Sequence, residues 1–570
     1  MVGALLGLLI VAVLSAIWVG VRGAIAYSHL QQARADLSAV VADLDDTASV
    51  ENRIQSAGAH ARTAGEMTSD PVWSMAERLP WIGPQLHAVG TISAVAAELD
   101  ATVLAPLSDI AARFSPDAFR IEGGAIDLSI FETLRGPAAE AASGLEAAVA
   151  RLEAIDTAPL LGVARIGVES TREQLASAAD AASAVERAST LLPTMLGAES
   201  PRSWLLLFQN NAELRSLGGM PGATAVITAT DGRISLAGQG TAAMPRFDTP
   251  VLPLDPELQA LYQKRPAVWF SGTTIVPDFA VGAPLAREMW RLQHDVDTDG
   301  VVSLDPVALS YLLEATGSIE LATGETLTSE NAVDFLLHQV YLDYPDPVQQ
   351  NVVFANAAAE VFAAITAGRA EPVALVSALA RAGDERRLLL WSSDADEQAR
   401  IAETTLSGHL PVSDTNAARF GVYLNDGTGS KLGTYLAVEP QITCRANGEA
   451  TLTVDLRSDA PADAAESLPA AIAGGSYSVR KGVLRVVTYI YLPVGATLTD
   501  TAVTHAPGFG GGPHGEYQVL QYSTDLAPGD ASTATVTVQL PQPLPESVIA
   551  DLTPAFGETS VTDSCSAAAR

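Results

Sequence analysis

Between Gln209 and Gly222 the chain brings together Asn210, Asn211, Glu213 and Arg215 with the glycines Gly218, Gly219 and Gly222. That combination suits an anion site. Arg215 can grip a phosphate or carboxylate at two points, the amides add donors, and the glycines let a ligand approach the backbone. The competing reading is local, with Glu213 and Arg215 paired to each other and the glycines turning the chain. Asp278 and Asp299 are the carboxylates that could share a divalent metal with Arg215. Arg386-Arg387, ahead of the apolar run Leu388–Trp391, form a second candidate anion site, although Asp384 and Glu385 beside them favour ordinary surface pairing. Asp295-Val296-Asp297-Thr298-Asp299-Gly300 opens like a calcium loop, but its twelfth position is Pro306 rather than a bidentate Glu, which favours a bend with solvated carboxylates.

Other chemistries find no support. The eight histidines (His29, His60, His87, His294, His338, His409, His505, His514) never fall at zinc-ligand spacing. No Gly-x-Ser-x-Gly elbow, Walker loop or dinucleotide fingerprint is present. Gly508–Gly515 follows Pro507 and reads as a flexible connecting loop. With 33 basic against 66 acidic residues the net charge is −33, which repels nucleic acid. Only Lys264, Lys431 and Lys481 are lysines, and this arginine and alanine bias indicates a GC-rich genome.

The elements that must position these residues differ along the chain. Val2–Val21 carries no charge, and at about 1.5 Å per residue it spans roughly the 30 Å hydrocarbon core of a bilayer. A cleaved signal peptide ending at Ala24-Ile25-Ala26 is the rival reading, but the apolar run is long for one. Arg22 and Arg34, taken alone, would place the following mass in the cytoplasm. Long domains translocate largely regardless of flanking charge, and an upstream basic start would restore the rule, so the expectation is a single-pass anchor with the bulk outside the cell membrane. The only cysteines, Cys444 and Cys565, bracket the last segment and are expected to form one disulfide.

At 570 residues, several domains are expected. The predicted fold class is multidomain α+β. A transmembrane anchor covers 1–23 and an Ala-rich helical stalk or bundle 24–200, with apolar spacing such as Leu37, Val40, Val41 and Leu44. Breaks in the bundle are expected at Pro80-Trp81-Ile82-Gly83-Pro84 and around Phe114–Gly124. An α/β domain follows over 201–435. It opens with a buried strand at Trp204–Phe208 and continues to a hairpin at Asp231-Gly232, with the Gln209–Gly222 segment joining the two. Helices are expected at Pro284–His294, Pro306–Thr316, Asn331–Tyr341 and Val348–Ala367. Residues 436–570 read as an antiparallel sandwich of immunoglobulin type.

Asn210-Asn211-Ala212-Glu213-Leu214-Arg215 with Gly218-Gly219 resembles the signature of the domain-of-unknown-function family numbered 4012, common in actinobacteria. Ser271–Thr274, Pro277–Phe279, Asp299–Thr316 with Gly317, and Arg386-Arg387 with Trp391-Ser392 fit it too, so the resemblance runs over roughly 75–570. More distantly, Val296–Leu321 and Leu327–Phe362, including Gln349-Gln350, are similar to LytR-CpsA-Psr proteins. That likeness implies a shared α/β core and transfer of glycopolymers from a polyprenyl-phosphate carrier, with arginines on the pyrophosphate and carboxylates on a metal. Where those proteins place arginines in the helix-loop-helix, this chain has His338, Asp343 and Asp346. Binding rather than catalysis is therefore expected.

The sequence thus points to a membrane-anchored envelope protein that assists assembly, export or attachment of a surface polysaccharide by holding an anionic lipid-linked glycan. The expected ligand-binding set is Asn210, Asn211, Glu213, Arg215, Gly218, Gly219, Asp278, Asp299, Arg386 and Arg387, without a cofactor. Its partners would be the membrane, a polyprenyl-linked or cell-wall glycan, and other envelope proteins. One alternative is a metal-dependent glycopolymer transferase. Another is a structural scaffold that binds no ligand.

Overall fold

The computed structural model describes residues 2–42, 47–106, 124–241, 244–555 and 560–563. They form a mixed α+β chain that divides into two compact units, one of residues 1–120 with 126–199 and the other of 121–125 with 200–570.

The first unit is helical. Helix Val2–Ala42 is continuous, so the expected anchor at 1–23 is no separate element. Its window Val13–Val40 is long and apolar enough to cross a membrane and is only 6 % buried, although a signal sequence would pass the same test. Beyond Arg22 the helix packs along Thr47–Thr68, burying Ala26 and Ala33. Helices Gly83–Leu99, Ser129–Glu153 and Gly162–Met195 complete the unit. Their shared core includes Ala88, Val95, Leu152 and Val168. The chain breaks before Gly83 as expected, whereas the break expected around Phe114–Gly124 falls on 107–123, outside the described residues. Five helix starts here and in the second unit follow one local rule. Asp70, Asp255, Asp305, Asp346 and Glu371 each cap a helix through a side-chain oxygen and are each followed by proline, whose missing N–H costs nothing in the first turn.

The second unit is built on sheets. Its first strands are β1 (Arg202–Arg215), β2 (Gly218–Thr230), β3 (Arg233–Thr241) and β4 (Gly300–Leu304). A small hairpin, β5 (Ile319–Glu320) with β6 (Thr326–Leu327), precedes β7 (Leu388–Ser392). The order is β3-β2-β1-β4-β7, with β1 and β4 parallel and every other pair antiparallel. Asp231 and Gly232 both take positive φ, as the tight β2–β3 turn requires. Helices Pro306–Thr316 and Pro347–Thr366 lie close to their expected positions.

Ten more strands follow: β8 (Ala417–Asp426), β9 (Leu436–Cys444), β10 (Glu449–Ser458), β11 (Leu484–Tyr491), β12 (Thr497–Val503), β13 (Gly510–His514), β14 (Tyr517–Leu526), β15 (Ala531–Gln539), β16 (Ser547–Leu552) and β17 (Ser560–Asp563). They make a sheet β12-β15-β10-β9 and a sheet β13-β14-β11-β8-β16-β17. Alternate residues of both, such as Val454 and Val536 from one and Val422 and Ile490 from the other, meet in one apolar cluster. Three expectations change. β8 and β16 pair in parallel, so the architecture is not purely antiparallel. β8 already belongs to the six-stranded sheet, and Leu309, Leu336 and Tyr341 share a core with Phe420 and Leu452, so no core boundary falls at 435. Gly510–His514 is an edge strand paired with β14, not a loop. The bridge expected between Cys444 and Cys565 involves residue 565, which lies outside the described residues.

Candidate functional site

The Gln209–Gly222 segment is not an open loop between a strand and a hairpin. β1 continues to Arg215 and turns through Ser216-Leu217 straight into β2. Asn210 pairs with Met220 and Leu214 with Gly219, which leaves Asn211, Ala212 and Glu213 as a bulge with no partners on β2. The bulge brings these residues against the second group of strands. Asn211 donates to Pro554 O and to Asp305 Oδ2, each at 2.8 Å. Asn210 donates to the Tyr341 hydroxyl, and Gln209 donates to Ser303 Oγ at 2.8 Å while accepting from Gly219 N at 2.6 Å. Ser216 N donates to Asn425 Oδ1 at 3.1 Å, and Asn425 Nδ2 returns a bond to Ser216 Oγ at 2.8 Å.

The glycines serve this packing. Gly218 has φ +122, and a Cβ at Gly219 would run into the Asn210 carbonyl and come within 2.5 Å of Asn211 N. Because the obstacle is backbone, Gly219→Ala is expected to destabilise the chain by about 1–3 kcal/mol in denaturant titration. Wild-type stability in that variant would contradict the bulge.

The charges are spoken for. Glu213 bonds Arg215 at 2.7 Å and Lys431 at 2.6 Å, and all three side chains are largely buried. Burial pushes the Glu213 carboxyl up, but the Lys431 ammonium and Arg215 guanidinium outweigh it and draw it down to about 2. Arg215 also donates to its neighbour's carbonyl, Leu214 O, at 2.7 Å. Nearby Asp426 is pushed up by burial and by the Glu213 charge. Arg387, expected at the surface, is buried. It reaches Asp305 at 2.9 Å, Glu385 at 2.7 Å and Ala555 O at 2.7 Å. Arg386 pairs with Asp551 at 3.1 Å. Of the two opening readings, the local pairing of Glu213 with Arg215 is therefore the one realised. The sequence did not single out Lys431, Asn425 or Tyr341, because their proximity comes from long-range packing.

The remaining candidates lie apart. Asp278 caps helix Phe279–His294 through Ala280 N at 2.9 Å, with its carboxyl pushed up by burial. Asp299 accepts from Ser203 N at 2.7 Å and Ser203 Oγ at 3.1 Å, near the start of β1. Arg215 ends that strand, roughly 35 Å away at about 3.3 Å per residue. Asp299 and Arg215 therefore sit at opposite ends of β1 and are not brought together. Asp297 is bonded to Arg287 at 2.8 Å, in keeping with a bend rather than a calcium loop. Among the described residues no group of three or more His, Cys, Asp or Glu could hold a metal ion.

A cavity does lie beside the motif. It is small, about 50 Å³, and opens where the parallel β1–β4 pairing ends at Phe208 and Leu304. Its walls are mostly apolar: Phe208, Leu304, Leu309, Leu336, Leu337, Phe354, Ala357 and Ala358. Gln209, Asn210 and Asp305 supply a polar end. Carboxyl ends of parallel strands are where open α/β sheets receive ligands. The small residues Ala357 and Ala358, on helix Pro347–Thr366, leave this space, and nothing in their spacing distinguishes them from ordinary helix formers.

No curated protein matches the chain. Among solved structures it is similar to the transcriptional regulator yvhJ from Bacillus subtilis, with 12 % identity over 38 % of this chain and 84 % of that one. The TM-score is 0.20, and at that value the likeness carries no argument about fold or activity. The family comparison is more specific, because it falls on β1, the bulge, the β1–β2 turn and the cavity-lining residues up to Leu337, although not on helix Pro347–Thr366. Residues 199–341 match the model described as "Protein of unknown function (DUF4012)", so this quarter of the chain is similar to that family.

Proposed function

We propose that the protein is a membrane-anchored, extracytoplasmic envelope component that receives the hydrocarbon portion of a lipid-linked glycan. In this reading it assists assembly, export or attachment of a surface polysaccharide. The carrying observation is the apolar cavity with a polar end beside the family motif. The likeness of Val296–Leu321 and Leu327–Phe362 to LytR-CpsA-Psr proteins points the same way, since helices from both stretches line the cavity. The motif arginine acts here as a brace. With Arg215 held by Glu213, recognition rests on the hydrocarbon chain more than on a cationic grip of the phosphate.

Native mass spectrometry of the full chain in detergent, with polyprenyl phosphate as probe, tests this reading. Wild type is expected to retain the lipid, and Ala357→Trp, which fills the cavity, to bind at least about tenfold more weakly, or about 1.4 kcal/mol. Failure of wild type to bind, or equal binding by the folded variant, would sink the proposal and leave the scaffold alternative.

A further inference from the structure

The helical unit carries an exposed apolar tip at one end. Trp81 is 91 % exposed, Val163 85 %, Leu161 71 % and Met75 69 %, with Ile82 and Ile166 also exposed. These residues come from two separate connections and the helix turns that flank them, and the two are tied together. Gln85 Nε2 donates to Pro159 O at 2.9 Å, and Gln85 Oε1 accepts from Leu161 N at 3.0 Å.

The tip lies on the membrane side of the point where the uncharged stretch Val2–Val21 ends. Trp18 Nε1 donates to Asp70 Oδ2 at 3.3 Å, and Arg22 Nε lies 2.9 Å from the same oxygen and 2.7 Å from Met67 O. Trp73, on the short helix after Asp70, is buried between Gly23 on one side and Gly90 on the other. Helix Val2–Ala42 runs antiparallel to Thr47–Thr68, as His29 facing His60 and Arg22 facing Met67 show. Thr47–Thr68 in turn runs antiparallel to Gly83–Leu99, with Gly65 beside Ala97 and Gly58 beside Asp100. Helix Gly83–Leu99 is therefore parallel to the span. Gly83, seven residues before Gly90, lies roughly 10 Å further toward the membrane than Gly23. Trp81 and Ile82 precede even that point.

A Trp at the span's end marks the interfacial zone of a bilayer, and interfacial segments bury apolar side chains about 5–10 Å into the headgroup and acyl boundary. We propose that the tip around Trp81, Leu161 and Val163 dips into the leaflet on the bundle's side and fixes the bundle against the lipid surface. This inference rests on the first helix being an uncleaved span, and not on the glycan reading.

The full chain, reconstituted in phosphatidylcholine–phosphatidylglycerol vesicles with acyl chains brominated near the headgroup, provides the test. An environment-sensitive fluorophore is attached at Trp81→Cys, at Val163→Cys in the first turn of helix Gly162–Met195, or at exposed Gln55→Cys on helix Thr47–Thr68 as control. Mass spectrometry confirms the labelled site. At 81 and 163 the emission is expected to shift blue, to be quenched at least about twofold by bromolipid, and to resist aqueous iodide. Position 55 is expected to show the reverse. Iodide quenching at 81 and 163 equal to that at 55 overturns the inserted tip even when the chain stays in the vesicles. A chain extracted from the vesicles by carbonate overturns the span and the tip together. Neither result bears on polyprenyl phosphate binding to the cavity.

Discussion

Lys431→Met is expected to lower the unfolding free energy by about 3–5 kcal/mol, because it leaves Glu213 buried with one cation where it now has two. The side chains are similar in length, so the loss reports charge rather than packing. Acid titration adds a second signature. The carboxyl of Glu213 is held below its ordinary value in the folded chain, so its contribution is fully present above its unfolded pKa, near 4.5, and fades as pH falls through about 2. In wild type, urea midpoints should therefore drop across that window. In Lys431→Met the drop should be shallower, since less depression remains to be lost. An unchanged midpoint at neutral pH would mean that the triad is solvated and the bulge open.

The second large effect is expected at Arg387. Arg387→Met removes the guanidinium from Asp305 and should also cost about 3–5 kcal/mol at neutral pH. Here the pH dependence has the opposite sign. Burial outweighs Arg387 and the hydrogen bonds from Ala308 and Asn211, so the carboxyl of Asp305 titrates above its ordinary value even in wild type. A group raised on folding contributes stability below its unfolded pKa and loses it as pH rises through the folded one. The variant should accordingly be least impaired in acid. Adding Asp305→Asn should recover part of the loss, because asparagine still caps helix Pro306–Thr316 and carries no charge. Both outcomes are read from chemical denaturation. A variant equally impaired at every pH would contradict the account.

Local chemistry made much of the architecture legible before the structure. The helix start at Pro306 and the Asp231-Gly232 hairpin follow from short-range rules and lie at their expected places, whereas the helix expected from Pro284 begins five residues earlier, at Phe279, where Asp278 caps it and Pro284 falls inside. What sequence spacing could not convey was the bulge. Asn211, Ala212 and Glu213 read as a loop because amides, a carboxylate and glycines usually mark one. They are buried instead because Lys431, Asp305 and Pro554, remote in sequence, arrive to satisfy them. For Arg386-Arg387 the adjacent acids suggested surface pairing; Glu385 does pair with Arg387, but Asp305 and Asp551 also hold the two arginines from across the fold and Arg387 is buried. The cavity was hidden in plain composition, since its alanines look like ordinary helix formers until the facing leucines are in place.

The central claim is that the cavity beside β1 and β4 takes a hydrocarbon chain. A polyprenyl phosphate analogue with a photoreactive group on its tail, incorporated with the full chain in nanodiscs and irradiated, addresses it directly. Peptide mapping should place adducts on Phe208, Leu309, Leu336, Leu337, Phe354 or Ala357, and these should disappear in Ala357→Trp. Adducts confined to the span residues Val13–Val21, with none in the cavity, would contradict it.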